Sequence, residues 1–424
     1  MPLPSIVGAE SAASGQRPAD IQHYLRPGIL QLHELPPLAL YIHLPWCVRK
    51  CPYCDFNSHA SPRAQTPASA LDPALIGRYL QALEADLDAA LPLIWGRQVI
   101  SIFIGGGTPS LFSAQHIDSL LASVRARLRL LPGCEITLEA NPGTFEKDRF
   151  AAYRAAGVTR LSIGVQSFDN ALLQRLGRIH NRAQALAAVE EARDAFETFN
   201  LDLMYALPGQ DMAAFAQDLH TALALQPPHL SVYHLTIEPN TYFAKYPPPA
   251  LPDDDLAYDM LDAITAATAA AGLDRYEVSA YARGGHTCQH NLNYWQFGDY
   301  LGIGAGAHSK LSFAHRIVRQ VRLRDPLRYT AAALQGAPIA QESDIPRREL
   351  PFEYMLCALR LRQGFALQDF HARTGLPLSS VQAPIEQAIA RGLLEQPHPG
   401  HIRPTARGFD FLSDLQQSFL PEET

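Results

Sequence analysis

The 424-residue chain has no run of eighteen uninterrupted apolar residues, so it offers no candidate transmembrane helix. Its first residues, MPLPSIVGAESAASGQRPAD, lack the basic n-region and apolar h-region of a secretory signal. With Glu10, Asp20 and a single arginine, Arg17, they also lack the Arg-rich, acid-poor character of an organelle transit peptide. A basic excess is missing too. The formal net charge is −7, which argues against general attraction to nucleic acid or to an anionic membrane. Six cysteines in so large a chain, with no signal peptide, do not make a disulfide framework. The expected location is the cytoplasm, where thiols stay reduced. Hydrophobic residues at 47% and charged residues at 18% exclude a disordered chain. The length allows one large domain and a smaller one.

What is present is an alternation. Apolar runs, LALYIHL (38–44), VISIFIGGG (99–107), EITLEANP (135–142), RLSIGVQS (160–167), NLDLMYALP (200–208) and HLSVYHLTI (229–237), are separated by amphipathic stretches such as LIGRYLQALEADLDAAL and RAQALAAVEEARDAF. Apolar runs without strict alternation suit strands buried on both faces of a parallel sheet, and strand–helix repetition implies right-handed crossovers. Six such units predict an α/β fold that is a barrel or part of one; an open doubly wound sheet is the competing geometry. In either case sites gather at the carboxyl ends of the strands. The reading divides the chain into a loosely ordered tail (1–35), a β/α core (36–275), an extension (276–345) and a small C-terminal domain (346–424). The extension opens with RYEVSAYA, read as one further strand. The C-terminal helices, ending in ARGFDFLSDLQQSF as a single helix, with LLEQPHPGHIRPT as a hairpin, suggest a winged-helix-like arrangement. That segment has eight Arg, no Lys and nine Asp plus Glu, a net of 8 − 9 = −1, which argues against a DNA-reading face.

The densest chemistry is in LPWCVRKCPYCDFNSH (44–59), where Cys47, Cys51 and Cys54 are spaced C-x3-C-x2-C. Three thiolates on one loop can hold a metal. For zinc a second knuckle is missing, leaving His43 or His59 as a fourth ligand. For a four-iron cluster, three cysteines leave one iron open to a small molecule. GGGTPS (105–110), one β/α unit later, supplies glycines that let backbone groups approach a ligand closely.

These residues resemble the radical S-adenosylmethionine superfamily. Together with LEANPGT, RLSIGVQSFD, LGRIH, NLDLMYALPGQ and HNLNYW, they resemble its coproporphyrinogen-oxidase-like branch, and within that branch a family of haem chaperones, over about residues 36–420. The resemblance implies a partial (β/α)6 barrel. It implies that Cys47, Cys51 and Cys54 hold a [4Fe–4S] cluster, and that S-adenosylmethionine chelates the open iron. Tyr41, Tyr53, Gly106, Gly107, Thr108, Glu139, Gln166, Arg178 and Asp202 are then the expected lining around S-adenosylmethionine. Arg178 is the expected partner of a ligand carboxylate.

Oxygen-independent coproporphyrinogen oxidases of that branch carry a fourth cysteine two positions after the third. This chain has Phe56 there, and also a shorter N-terminal region. Whether it is an enzyme is therefore open, and oxidase activity is doubted. The motif H-N-x-x-Y-W, here His290, Asn291, Tyr294 and Trp295, is associated in the resemblance with haem. Imidazole is a common haem ligand, so His290 is the haem-ligand candidate and Cys288 its neighbour alternative. The plainer reading makes His290 a hydrogen-bonded loop histidine and Trp295 a domain-packing anchor. The leading expectation is a protein that binds haem and delivers it to an acceptor such as a respiratory haem enzyme. The alternatives are a radical enzyme acting on a porphyrinogen and a zinc-bound regulator.

Overall fold

The computed structural model describes residues 15–61, 71–143 and 148–421. Thr144 of the LEANPGT motif and residues 1–14 of the expected tail lie outside them. One sheet of twelve strands organises the chain. The strands are β1 (Leu38–Leu44), β2 (Gln98–Gly106), β3 (Arg129–Ala140), β4 (Arg160–Gln166), β5 (Thr198–Tyr205), β6 (His229–His234), β7 (Asp274–Arg275), β8 (Ala280–Ala282), β9 (Asp299–Ile303), β10 (His308–Phe313), β11 (Arg316–Arg322) and β12 (Ile339–Asp344). Their spatial order is β12-β11-β10-β9-β1-β2-β3-β4-β5-β6-β8-β7. The stretch from β9 through β1 to β6 is parallel, as buried apolar runs joined by helices require.

A helix follows each of the first six strands: α1 (Pro73–Ala90), α2 (Ala114–Arg127), α3 (Arg149–Ala156), α4 (Arg182–Ala195), α5 (Met212–Ala224) and α6 (Asp254–Ala270). Their starts follow from sequence. Asp72, Ser113, Asn181, Asp211 and Asp253 each cap a helix by accepting from its first backbone N–H groups. Leu38, Leu40, Ile42 and Leu44 of β1 face these helices in one large core, while Ala39, Tyr41 and His43 face the other way. The sheet curls around that second face. The loop after β1 and the segment after β6 meet, since the Phe243 N–H donates to the Pro52 carbonyl at 3.0 Å, although five strand steps separate the two strands. The sheet does not close between β12 and β7, so the barrel is partial.

Three expectations need correction. RYEVSAYA is two short strands, β7 and β8, joined by a turn in which Glu277 accepts from the Ser279 N–H. Residues 15–35 are not loose. Tyr24 stacks on Phe313 with centroids 4.8 Å apart and donates to Glu342, and Leu30 and Leu32 are buried. The final helix is two, Ala406–Asp410 and Leu412–Gln417, broken where Phe411 leaves helical geometry at φ −103°, ψ 44°.

The extension is continuous with the barrel sheet through the β9–β1 pairing. A short helix, α7 (Gln289–Trp295), precedes β9 and carries HNLNYW. A second core then gathers α8 (Leu350–Ala358) and the residues after it, with Leu30, Leu32, Phe297 and Ile317. Its hairpin, Leu394–His398 with His401–Pro404, joins Phe365–Ala366 in a three-stranded sheet. Among the described residues no helix is long and apolar enough to cross a membrane.

Candidate functional site

The cysteine loop is bolted down at both ends. Trp46 is buried against Tyr79 and Phe112, and the short parallel pairing of Trp46–Cys47 with His59–Ala60 closes the loop's base. Asn57 carries the largest share. Its side chain donates to the carbonyls of Ala305 and Arg324, both at 2.9 Å, and its own carbonyl meets His43 Nε2 at 2.9 Å. The expected role of His43 or His59 as a zinc ligand finds no support here. Both ring nitrogens of His43 are engaged, Nδ1 with the Tyr41 hydroxyl, and His59 Nε2 is engaged with Asn57 Oδ1. Among the described residues no three His, Cys, Asp or Glu side chains converge on a single ion position. A four-iron cluster takes each cysteine on a different iron, so its thiols need not meet at one ion position.

Cys47 is buried, and burial pushes its thiol up to about 11. Burial raises Cys54 as well. Such thiols need cationic help to ionise. One source is in place: Arg178 Nη1 lies 3.7 Å from Cys51 Sγ. Iron would supply the rest. Beside Cys51 a shallow cleft is lined by Val48, Arg49, Thr108, Asn141 and Arg178, among others. Phe56, where the oxidases have a fourth cysteine, is 65% exposed.

The glycines of GGGTPS earn their place first against the protein itself. A Cβ on Gly107 would lie 2.6 Å from the Trp46 carbonyl oxygen, and one on Gly106, at φ +120°, would lie 2.7 Å from the His43 ring. The N–H groups of Gly107 and Thr108 donate to Leu44 and Trp46, so β2 holds the cysteine loop by backbone bonds. Gly106 N–H donates to Glu139 at 3.0 Å.

Around this rim the remaining expected residues face the barrel interior. Burial, with Asp202 nearby, pushes the Glu139 carboxyl up to about 8. Burial raises Asp202 to about 6, although Asn200 and Ser162 donate to it. Gln166 holds φ +67°, a left-handed conformation that costs a side chain of order 1 kcal/mol and that clusters at functional sites. Tyr53 packs toward Phe243. Arg178 is not free to take a ligand carboxylate with both nitrogens: its Nη2 donates to Asn141 and to the Gly164 carbonyl. Asn141 was missed as a site residue, though EANP contains it. It accepts from Arg178 and donates to Thr108 Oγ1 at 3.0 Å, tying the loops after β2 and β4 together.

The H-N-x-x-Y-W residues lie elsewhere on the same inner face. His290 sits on α7, not in a loop. Its Nδ1 is 3.2 Å from Ser101 Oγ, and its ring is 5.0 Å from Phe103 and 6.5 Å from Tyr41. Burial pushes its pKa down to about 4, so the imidazole is neutral at pH 7, the form that ligates metal. Cys288 is a poor ligand by comparison: burial pushes its thiol up to about 12, and the thiol donates to Glu135. Tyr294 packs at a tilt against Tyr300, and Trp295 meets Arg360 of the C-terminal region at 4.2 Å.

A family profile described as the Radical SAM superfamily matches residues 41–222, and one described as the HemN C-terminal domain matches residues 345–411. The chain is 47% identical over 393 residues to the heme chaperone HemW of Haemophilus influenzae, covering 92% of this chain and 100% of that protein. It is 47% identical over 391 residues to HemW of Escherichia coli, with the same coverage. It is 35% identical over 397 residues to the mouse mitochondrial radical S-adenosyl methionine domain-containing protein 1, covering 91% and 87%. Among solved structures, coproporphyrinogen III oxidase (HemN) of Escherichia coli superposes with a TM-score of 0.75 at 23% identity, covering 91% of this chain and 90% of that one, a likeness of fold. The chain belongs to the HemW family of the radical S-adenosylmethionine superfamily.

Proposed function

We propose that this chain binds haem and passes it to an acceptor protein, while carrying a [4Fe–4S] cluster on Cys47, Cys51 and Cys54 with S-adenosylmethionine at the open iron. The observation that carries the reading is the full-length likeness, at 47% identity, to proteins named heme chaperones. The site's chemistry agrees. The loop offers three thiols with a guanidinium beside one of them, and no fourth cysteine at Phe56. Bound there, the cluster would supply one-electron chemistry toward S-adenosylmethionine. The chain's own residues hold its surroundings. Asn141 and Arg178 fix the loops on either side of Cys51, and neutral His290 presents an imidazole toward the same interior. Delivery to a respiratory haem enzyme and a cytoplasmic location are part of the proposal. The six free cysteines fit a reducing compartment.

The test is anaerobic. Cluster-loaded protein receives S-adenosylmethionine, a reductant and coproporphyrinogen III, and a parallel sample is titrated with haem. Haem binding without decarboxylated porphyrinogen is the expected result. Decarboxylated product with 5′-deoxyadenosine would overturn it in favour of an oxidase that dispenses with the fourth cysteine.

A further inference from the structure

The strand register continues the barrel's inner face onto the extension. Side chains at paired positions share a face. Ser101 pairs with Ala39, Ala39 with Tyr300, Tyr300 with Lys310, and Lys310 with Arg319. One pair further along, Phe103, Tyr41, Gly302, His308 and Val321 form a second row. The helix α7 lies across this surface, with His290 against Phe103 and Tyr41 and with Tyr294 against Tyr300. The result is a wall of rings running from the S-adenosylmethionine side of the barrel out to β10 and β11. Phe103, Tyr41, His290, Tyr294 and Tyr300 are all partly open to solvent, unlike the opposite face, which is packed under α1.

At the outer end of that wall the extension presents Arg319, His308 and Arg324. Lys310 is not available, because it is buried and paired with Asp299 at 2.9 Å. Arg319 is half-committed. One terminal nitrogen donates to Glu353 of α8, while its Nε is buried with no hydrogen-bond partner. The Arg319 and Arg324 guanidiniums both lie near the His308 imidazole and, after burial, lower its pKa. His308 and Arg324 are exposed. Flat apolar rings leading to two guanidiniums and an imidazole, all hydrogen-bond donors, complement a planar macrocycle with carboxylates on one edge.

We propose that haem lies against the ring wall of Tyr41, Phe103, Tyr294 and Tyr300, with its propionates directed to Arg319, His308 and Arg324 on β10, β11 and the turn after β11. This deepens the haem-binding reading and rests on it. The seat spans the barrel and the extension, and Glu353 competes with the ligand for Arg319.

The test compares haem with its dimethyl ester, in which both carboxylates are capped, by absorbance titration of the full chain. Wild-type protein should bind haem about tenfold or more tightly than the ester, the worth of one charge-assisted hydrogen bond. Arg319→Gln should erase most of that preference by weakening haem and leaving the ester unchanged. Glu353→Gln, which frees Arg319, should keep or sharpen the preference. Equal binding of the two ligands by wild type overturns the proposal while leaving haem binding intact. So does a parallel loss of both ligands in Arg319→Gln and Glu353→Gln, which would assign the ion pair to domain docking. Failure of wild type to bind either ligand sinks the haem reading itself, and this seat with it.

Discussion

The rim at the strand ends and the helix α7 solve opposite problems on one surface. At the rim, backbone bonds reinforce the Asn57 and Asn141 side chains. Gly107 and Thr108 donate to the chain around Cys47, and glycine is required because the loop's carbonyls leave no room for Cβ. The helix α7 is held by side chains: His290 on Ser101, Asn293 on the Asp299 carbonyl, and Trp295 on Arg360. A rim reinforced by backbone bonds fixes thiol positions with little slack, as a cluster needs. A helix held by side chains presents rings that can adjust to a ligand. Burial also acts in opposite senses on the two. It makes rim carboxyls hold protons and makes the α7 histidine give its proton up, so both are biased toward neutrality.

The largest expected effect breaks the rim without touching α7. Cys51→Ser should abolish the cluster, read as lost iron and lost visible absorbance after reconstitution. The apo protein should unfold within about 1 kcal/mol of wild type, since the side chain is partly exposed. Haem affinity should persist. If it disappears together with the cluster, the two regions form one site and the comparison fails.

The rim's carboxyls give the next effect. Glu139 titrates near 8 when folded against an ordinary value of 4.5. Between those values the folded apo protein binds more protons than the unfolded chain, so ν_U − ν_N is negative and stability falls as pH rises. Full stabilisation is present below about 4.5 and is lost through about 8. The slope approaches about 1.4 kcal/mol per pH unit for the one proton. Glu139→Gln should flatten that slope in denaturant titrations of the apo protein between pH 5 and 8. An unchanged slope would mean that Glu139 ionises normally.

Much of this surface was legible in the sequence, and the illegible part has a common cause. LALYIHL is a strand over its whole length, Leu38–Leu44, and the cysteine and glycine motifs do meet. Local pattern sufficed where the signal is local: apolar runs, caps and ligand spacing. It failed where a partner is distant. Asn141 reads as a strand-end turn residue until Thr108 and Arg178 arrive from two other loops. Tyr24 reads as a tail residue until Phe313 and Glu342 arrive from the extension. RYEVSAYA has strand composition throughout, and only the return of Glu277 onto Ser279 turns it into two strands.

Gly107→Val sharpens the contrast at smaller cost. Its Cβ would press on the backbone carbonyls of Pro45 and Trp46, which have no rotamer to escape into. Overpacking of this kind costs about 1–3 kcal/mol. Denaturant unfolding should show that loss, with poorer cluster uptake as the loop shifts, while Gly77→Val, where a Cβ meets nothing, should leave cluster uptake unchanged.

The smallest effect belongs to α7. Ser101→Ala removes one partner of His290 Nδ1, worth about 0.5–1.5 kcal/mol of stability. Its informative readout is not stability. The Ser101 hydroxyl can accept a hydrogen bond from Nδ1–H and so leave Nε2 with the lone pair that would face a metal. Without it the imidazole loses its tautomer preference, while Phe103 and Tyr41 still hold the ring. Haem titration should then show weaker binding with the Soret position retained, because the ligand atom is unchanged. A shifted Soret band would show that a different group had taken the iron. Unchanged affinity would make Ser101 a packing residue and leave α7 held by its other contacts, Glu135, Asn293 and Trp295 among them.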